Sequence, residues 1–196
     1  MHTENKVYLF NGNGLDMWCD RKGNAAAWSA DNDVLTVVPG SGDILTKEEF
    51  GDVQLHIEFR LPEAKDGVKA STGIYMHGRY QIQITDSFDV EEPGVLDCGA
   101  YFNFMRPRVN ACKKAGEWQT LDIIFRAPTL CANGNVSDFA RATVIMNDVL
   151  IHNNQYFARE RGDAAIEYDF QAKRGPVLIE NKGAAVEFRN IYAINL

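Results

Sequence analysis

The chain has 196 residues, of which 45% are hydrophobic and 24% charged, and its formal net charge is −7. This length and composition fit one globular domain over residues 1–196. The acidic balance, without a dense cluster of Lys and Arg, argues against a nucleic-acid partner, because phosphate binding depends on clustered basic side chains. No run of about 18 apolar residues is present, so the sequence predicts no transmembrane helix.

Strand patterns follow one another along the chain, and helical patterns are few. Residues 53–61 alternate without a break between apolar and polar side chains, which indicates a strand with one buried face. This alternation places His56 and Glu58 together on the outward face. Further strands are predicted at 34–38, 73–76, 80–85, 120–126, 142–146, 149–153, 177–180 and 186–195.

Turns and long connections separate these strands. Asn147 and Asp148 lie between two apolar runs and predict a tight hairpin. Residues 87–117 and 154–175 lack a regular pattern, and long connections of this kind are usually functional or disordered. Many short strands with turn signals between them predict an all-β protein, either a sandwich or a barrel.

The segment 71–86 has an unusual polar face. From Gln81 the chain alternates strictly, with Ile82 and Ile84 on one side and Gln81, Gln83 and Arg79 in register on the other. Amide and guanidinium groups on a rigid sheet suit recognition of a polyhydroxylated ligand, so we expect a sugar-binding face here. Three further polar residues lie close by in the sequence, namely Tyr75, His77 and Asp86.

The four cysteines do not have the paired spacing of a zinc site, so no metal site is predicted from them. Cys98 and Cys112 flank an irregular excursion between strands, where a disulfide bond is one interpretation. Four independent small core residues are the other. A disulfide would favour an oxidising compartment.

Several blocks of the sequence, in order along nearly the whole chain, resemble the 3-keto-disaccharide hydrolase family. They include Leu9-Phe-Asn-Gly12, Gly42-Asp43 with Leu55-His-Ile-Glu-Phe-Arg60, the segment 71–86, Gly116-Glu-Trp-Gln-Thr120 and Phe188-Arg-Asn-Ile191. The resemblance implies a concanavalin-like jelly-roll sandwich of two curved antiparallel sheets, with the ligand on the concave sheet. It also implies a carbohydrate-active enzyme that cleaves 3-keto glycosides or disaccharides.

The chain departs from the family pattern at several positions. The family usually has Arg where His77 stands and Glu where Gln81 stands. Where the family commonly reads LQDHG, this chain has Ile179-Glu-Asn-Lys-Gly183. Because these changes alter charge on the ligand side, a non-catalytic glycan-binding module of the same fold is kept as the alternative. A structural domain of a larger surface complex is a weaker third interpretation.

A ketone at C3 makes the C2 proton of a sugar acidic, so a base can start elimination of the aglycone from C1, and water then adds back. Such a site needs a base, a group that stabilises the enolate, and an acid. The candidates are Glu58 as base, Arg79 as the enolate clamp, and Asp86 and His77 for proton transfer. Their alternative roles are a solvated strand carboxylate, a salt bridge, a turn former and a structural histidine.

Other polar and aromatic residues are candidates for holding the sugar, although each is also explained by packing or by cross-strand contacts. They are His56, Tyr75, Gln81, Gln83, Tyr101 and Asn110. No cofactor is expected. The acidic loop 86–92 leaves a divalent cation as an alternative, although it lacks the EF-hand pattern.

The expected partner is a small-molecule or oligosaccharide substrate, and the sugar, its anomer, the aglycone and the oligomeric state stay open. The first residues lack the apolar core of a signal peptide. Because the resemblance implies export in many members, we expect an extracellular or periplasmic protein whose signal has been removed. An intracellular location stays open.

Overall fold

The computed structural model describes residues 5–12, 14–157 and 173–196. Within them the secondary structure consists of β-strands, and no helix is present. The strands are β1 (Lys6–Phe10), β2 (Trp18–Cys19), β3 (Ser29–Asp31), β4 (Val34–Thr36), β5 (Ile44–Thr46), β6 (Val53–Arg60), β7 (Ser71–Met76), β8 (Tyr80–Thr85), β9 (Gln119–Arg126), β10 (Thr129–Leu130), β11 (Val136–Asp138), β12 (Arg141–Met146), β13 (Val149–Tyr156), β14 (Leu178–Ile179) and β15 (Glu187–Asn195).

Eight antiparallel strands form the larger sheet, in the order β13–β12–β9–β6–β15–β4–β3, with β1 also paired to β15. One edge of β15 pairs along β6. The other edge is divided between β4, at Glu187 and Phe188, and β1, from Ile191 to Ile194. The long strand β15 therefore joins the first described strand to the centre of the sheet.

Five antiparallel strands form the smaller sheet, in the order β2–β5–β14–β7–β8. The hairpin of β7 and β8 lies at one end of this sheet and turns at His77 and Gly78. Both residues have positive φ angles, 53° and 63°, as the two central positions of a type I′ turn require. The strands β10 and β11 form a separate ribbon.

The apolar sides of the two sheets share one core. Leu55, Ile57 and Phe59 of β6 belong to the same fully buried cluster as Ile74 of β7 and Ile82 of β8. Each such side chain contributes roughly 1.5–3 kcal/mol when it leaves water. Alternation along the strands thus produces the sandwich, and the predicted all-β jelly-roll fold is confirmed.

Two outer faces remain once the core is closed. We call the face of the larger sheet that carries His56, Glu58 and Asp122 the large-sheet face. We call the face of the smaller sheet that carries Tyr75, Gln81, Gln83 and Glu180 the small-sheet face. The core lies between them, because Ile57 and Ile82, next to Glu58 and Gln81 in the sequence, point into it.

The connections agree with the sequence analysis where they are described. The predicted hairpin at Asn147 and Asp148 is confirmed, with φ angles of 49° and 65°. Residues 87–117 form turns and isolated bridges rather than regular strands. Of the second predicted long connection, 154–175, the first residues belong to β13, which reaches Tyr156. Residues 158–172 of that connection lie outside the described residues.

Candidate functional site

The small-sheet face gathers polar side chains from three neighbouring strands. Glu180 follows β14 directly, and its backbone N–H donates to the carbonyl of Gly73 in β7 at 3.0 Å. Since Leu178 and Glu180 are two residues apart, both point away from the core, whereas Ile179 points into it. The Thr72 hydroxyl donates to the Glu180 carbonyl at 2.6 Å and fixes this end of the strand.

The Glu180 carboxylate has two polar neighbours on this face. The Tyr75 hydroxyl donates to its Oε2 at 3.2 Å, and the Lys182 ammonium lies 3.4 Å from the same oxygen. The Lys182 ammonium also lies 5.0 Å from the centre of the Phe102 ring. A carboxyl, a phenol and a cation therefore meet at one point.

Burial sets the electrostatics of this point. Glu180 is 6% exposed and Tyr75 fully buried. Desolvation raises the pKa of Glu180 above its ordinary value, although the Lys182 charge and the Tyr75 hydrogen bond lower it. A carboxyl with a raised pKa is suited to taking up and releasing a proton in catalysis.

Two glutamines extend the cluster along β8. Gln81 Nε2 donates to Gln83 Oε1 at 2.9 Å, and Gln83 Nε2 donates to the Ser71 hydroxyl at 2.9 Å. Within the described residues, the buried Gln81 Oε1 has no hydrogen-bond partner. Buried polar atoms normally have one, so this amide oxygen is an exception within the cluster.

Gly73 allows these side chains to meet. A Cβ atom at this position would lie 2.7 Å from Gln81 Nε2, 2.7 Å from Tyr75 and 3.0 Å from Glu180 Oε2. The three side chains therefore occupy the space above the glycine. A lone glycine inside a strand often marks such a close approach.

The structure brings together three of the residues predicted from the sequence. Tyr75, Gln81 and Gln83 lie on the same face of the β7–β8 hairpin. Arg79 belongs to the turn of this hairpin and is buried, 3% exposed. His77 lies in the turn of this hairpin. Its ring packs edge-on against Phe125, and its Nε2 lies 3.3 Å from the Gly51 carbonyl.

Glu58 and His56 lie on the other side of the molecule, on the large-sheet face. Arg189 and Asn190 donate to the Glu58 carboxylate at 2.6 and 3.0 Å. Desolvation raises the pKa of Glu58, but these two hydrogen bonds outweigh it and lower that pKa overall. His56 Nδ1 lies 2.9 Å from Asp122, and its ring stacks on Tyr192.

The predicted catalytic set is consequently divided. Because the core separates the two faces, Glu58 and Gln81 cannot reach the same sugar ring of one bound ligand. The sequence analysis placed both on a single concave sheet; in the structure β6 and β8 belong to different sheets. The roles of these residues in catalysis stay predictions.

Three further candidates lie away from both faces. Asp86 caps a turn, where its Oδ1 accepts from the Phe88 N–H at 3.4 Å. Tyr101 lies in the core, where its ring stacks on His152 and its hydroxyl donates to the Ala142 carbonyl at 2.9 Å. Burial raises the Tyr101 pKa. The Asn110 amide donates to the carbonyls of Ser87 and Val90 and thereby holds the loop 87–90 in place.

The sequence analysis did not select Glu180, Lys182 or Gly73. The signal for Glu180 was present as a departure from the family pattern, since the chain has Glu180 where the family commonly has Gln. Gln81 stands where the family usually has Glu. The structure places these two positions on either side of Gly73, so a carboxylate and an amide are exchanged within one cluster.

Cys98 and Cys112 are free thiols in contact with each other, and no disulfide bond joins them. The hydrogen bond from Cys98 lowers the pKa of Cys112 to about 7. In the part of the chain that the structure describes, no three His, Cys, Asp or Glu side chains converge as metal ligands. Nor does that part contain a helix long and apolar enough to cross a membrane.

The family described as the 3-keto-alpha-glucoside-1,2-lyase-like domain matches residues 5–193. The chain belongs to this family. Family membership confirms the resemblance found in the sequence and makes the protein carbohydrate-related.

Solved structures agree with this assignment. A "putative glycosyl hydrolase" from Parabacteroides distasonis is 30% identical, covering 98% of this chain and 84% of the other, with a TM-score of 0.87. A second protein of that name and organism is 18% identical over 97% of this chain and 99% of the other, with a TM-score of 0.68. The alginate lyase Aly36B, 10% identical over 98% of this chain and 97% of the other (TM-score 0.51), shares the fold. No curated protein matches the chain significantly.

Proposed function

We propose that this protein is a carbohydrate-active enzyme that cleaves 3-keto glycosides, or disaccharides oxidised in this way, at the small-sheet face. The observation that carries the proposal is the Glu180 carboxyl, which is buried, has a raised pKa and lies next to Tyr75 and Lys182. The family description, a 1,2-lyase acting on a 3-keto glucoside, supports an elimination across C1 and C2.

The reaction begins with transfer of the C2 proton to the Glu180 carboxylate. The electron pair of the C2–H bond passes into the ring as an enolate, with negative charge on the C3 oxygen. When the carbonyl re-forms, a C1–C2 double bond is made and the C1–O bond to the aglycone breaks. The aglycone oxygen takes the proton back from the Glu180 carboxyl, and water then adds across the C1–C2 double bond, its hydroxyl to C1 and its proton to C2.

The neighbours of Glu180 supply the other requirements. The Lys182 ammonium, close to the carboxylate, stabilises the developing charge on the C3 oxygen, as fixed cations do in oxyanion sites. Arg79, in the turn of the β7–β8 hairpin, adds a permanent positive charge. The amides of Gln81 and Gln83 bind sugar hydroxyls, since their groups form a chain that ends at the Gln81 Oε1 atom.

Glu180 takes the place of Glu58 as the proposed base. The Glu58 carboxylate is held by Arg189 and Asn190, and its pKa is lowered overall. A weaker base in a fixed ion pair is less suited to removing a carbon-bound proton.

A non-catalytic glycan-binding module is the second candidate, because Gln81 occupies a position where the family usually has Glu. In that case the polar cluster binds sugar without turnover. The proposed reaction uses side chains alone. A divalent cation is the alternative, and turnover that disappears with EDTA and returns with added metal would support it. An extracellular or periplasmic location is likewise a proposal.

The test uses aryl 3-keto-glucosides of both anomers, with the corresponding glucosides as controls. We expect release of the aryl alcohol from a 3-keto-glucoside only, with a primary kinetic isotope effect when C2 carries deuterium. The Glu180→Gln variant should lose about 10²–10⁴-fold in rate while still binding the 3-keto-glucoside. Binding without release by the wild type would favour the binding module, and equal release from unoxidised glucosides would contradict elimination.

A further inference from the structure

A groove of about 630 Å³ opens beside the small-sheet face. Its size is within the range of small-molecule sites. One wall is the connection between β6 and β7, and the other is the segment that follows β14. Ser71 and Lys182 line the groove and also belong to the polar cluster, through Gln83 and Glu180 respectively. The groove therefore reaches the edge of the proposed catalytic site.

Both walls of the groove are fixed by hydrogen bonds. The first contains a tight turn in which Lys65 and Val68 exchange backbone hydrogen bonds at 3.2 and 2.9 Å. Asp66 and Gly67 form the corner with positive φ angles. In the second wall, the Asn181 N–H donates to Asp43 at 2.7 Å, and its Nδ2 donates to the Val38 carbonyl at 2.8 Å. A ligand would meet a largely pre-formed cleft.

The lining of the groove combines apolar surface with positive charge. Prolines, alanines and the 72% exposed Val68 supply the apolar part. The lining contains three lysines, Lys65, Lys69 and Lys182, and one carboxylate, Glu63. Among the described residues, Lys65 and Lys69 take part in no ion pair. Lys182 is paired with Glu180, so Lys65 and Lys69 supply the excess of positive charge over Glu63, a local exception in a chain with a net charge of −7.

We infer that this groove is the aglycone subsite and that it selects an apolar aglycone carrying a negative charge, such as an aromatic carboxylate. The assignment as aglycone subsite rests on the proposed function. The apolar walls remove the aromatic ring from water, and the lysine ammonium groups attract the carboxylate. The sugar then lies over Gln81, Gln83 and Glu180, with the scissile bond at the Lys182 end.

The first experiment compares 3-keto-glucosides of a 4-carboxyphenol and of its neutral carboxamide analogue. For the wild type we expect kcat/KM to favour the carboxylate by about fivefold at low salt, since each exposed charge contributes less than about 1 kcal/mol. Salt should reduce this preference because it screens the lysines. The double variant Lys65→Gln/Lys69→Gln should lose the preference, measured as the ratio of kcat/KM for the two substrates. Lys22→Gln, at an exposed lysine outside the groove, is the matched control and should behave as the wild type.

The second experiment separates this inference from the proposed function. The unoxidised 4-carboxyphenyl glucoside lacks the C3 ketone and cannot undergo the elimination, so its binding is measured directly by calorimetry against the carboxamide analogue. One outcome separates the two: no 3-keto-glucoside is cleaved, but the carboxylate ligand binds more tightly to the wild type than to the double variant. That result would support the groove assignment and contradict the proposed reaction. Equal preference in the wild type and the double variant, in both experiments, would overturn the groove assignment.

Discussion

The two outer faces of the sandwich are produced by the same alternation but hold their charges differently. On the large-sheet face, Glu58 lies 2.6 Å from Arg189, and His56 lies 2.9 Å from Asp122. On the small-sheet face, the carboxylate of Glu180 is almost fully buried, and its charge is disfavoured there. Ion pairs on a partly exposed strand stabilise the fold. A carboxyl whose charged form is disfavoured by burial is instead suited to proton transfer.

The largest test of this contrast compares Glu58→Gln with Glu180→Gln. Turnover of a 3-keto-glucoside is expected to fall about 10²–10⁴-fold in Glu180→Gln and to stay within about threefold of the wild type in Glu58→Gln. The initial rates of both variants, measured at saturating substrate, decide between the faces. If Glu58→Gln loses activity and Glu180→Gln keeps it, the active face has been misassigned.

The Gly73→Ala variant tests whether the small-sheet face depends on close packing. The new methyl group would press on Gln81, Tyr75 and Glu180, and a displacement of about 1 Å in a catalytic site costs about 10²-fold in rate. Gly94→Ala is the matched control, because an added Cβ there meets only Asp97, at 3.5 Å. Equal rates in both variants would show that the cluster does not need its present geometry.

Exchanging the carboxylate and the amide sharpens the comparison further. The double variant Gln81→Glu/Glu180→Gln restores the arrangement usual in the family while keeping one carboxylate in the cluster. We expect it to recover about tenfold of the rate lost in Glu180→Gln, because the base stays near the same substrate atom. The rates of the double variant and of Glu180→Gln are measured under identical conditions. If the double variant recovers no activity, a carboxylate at position 81 cannot replace the one at position 180.

The smallest expected effect is on stability, and its sign differs between the faces. The folded pKa of Glu180 is raised, so its ionisation costs stability as the pH rises through that pKa. Glu180→Gln should therefore be more stable than the wild type at neutral pH, an advantage that disappears in acid. The folded pKa of Glu58 is lowered, so its stabilisation is present near neutral pH and is lost as the pH falls through that pKa.

Glu58→Gln should accordingly lose about 1 kcal/mol at neutral pH, and progressively less in acid. Thermal unfolding of both variants and the wild type across the acid range checks these signs. Stability differences of the same sign for the two variants would contradict the contrast between the faces.

Long alternating strands could be predicted from the sequence, because period-2 patterns are unambiguous over six or more residues. The strand β8 was predicted with its observed bounds, and β6 within one residue. The two- and three-residue strands β2, β3 and β5 were missed, because such short segments show no period. The strands β2 and β5 pair with each other, and β5 pairs with the distant β14, whereas β3 pairs with its neighbour β4.

The candidate site could be predicted only in part for a related reason. Alternation shows which residues of one strand share a face, so Gln81 and Gln83 were grouped correctly. It does not show which sheet a strand joins, so Glu58 was grouped with them. Glu180 follows a strand of two residues, and its meeting with Gln81 depends on the order β14–β7–β8, which no local pattern encodes.

The position of β15 has a consequence for how the chain folds during synthesis. Residues 187–195 pair with β6 and also with β4 and β1, segments made well over a hundred residues earlier. The larger sheet therefore cannot be completed until these residues have left the ribosome, and β1 stays unpaired until then. Pairings this distant in sequence fold slowly, so the nascent chain carries an open sheet edge for most of its synthesis.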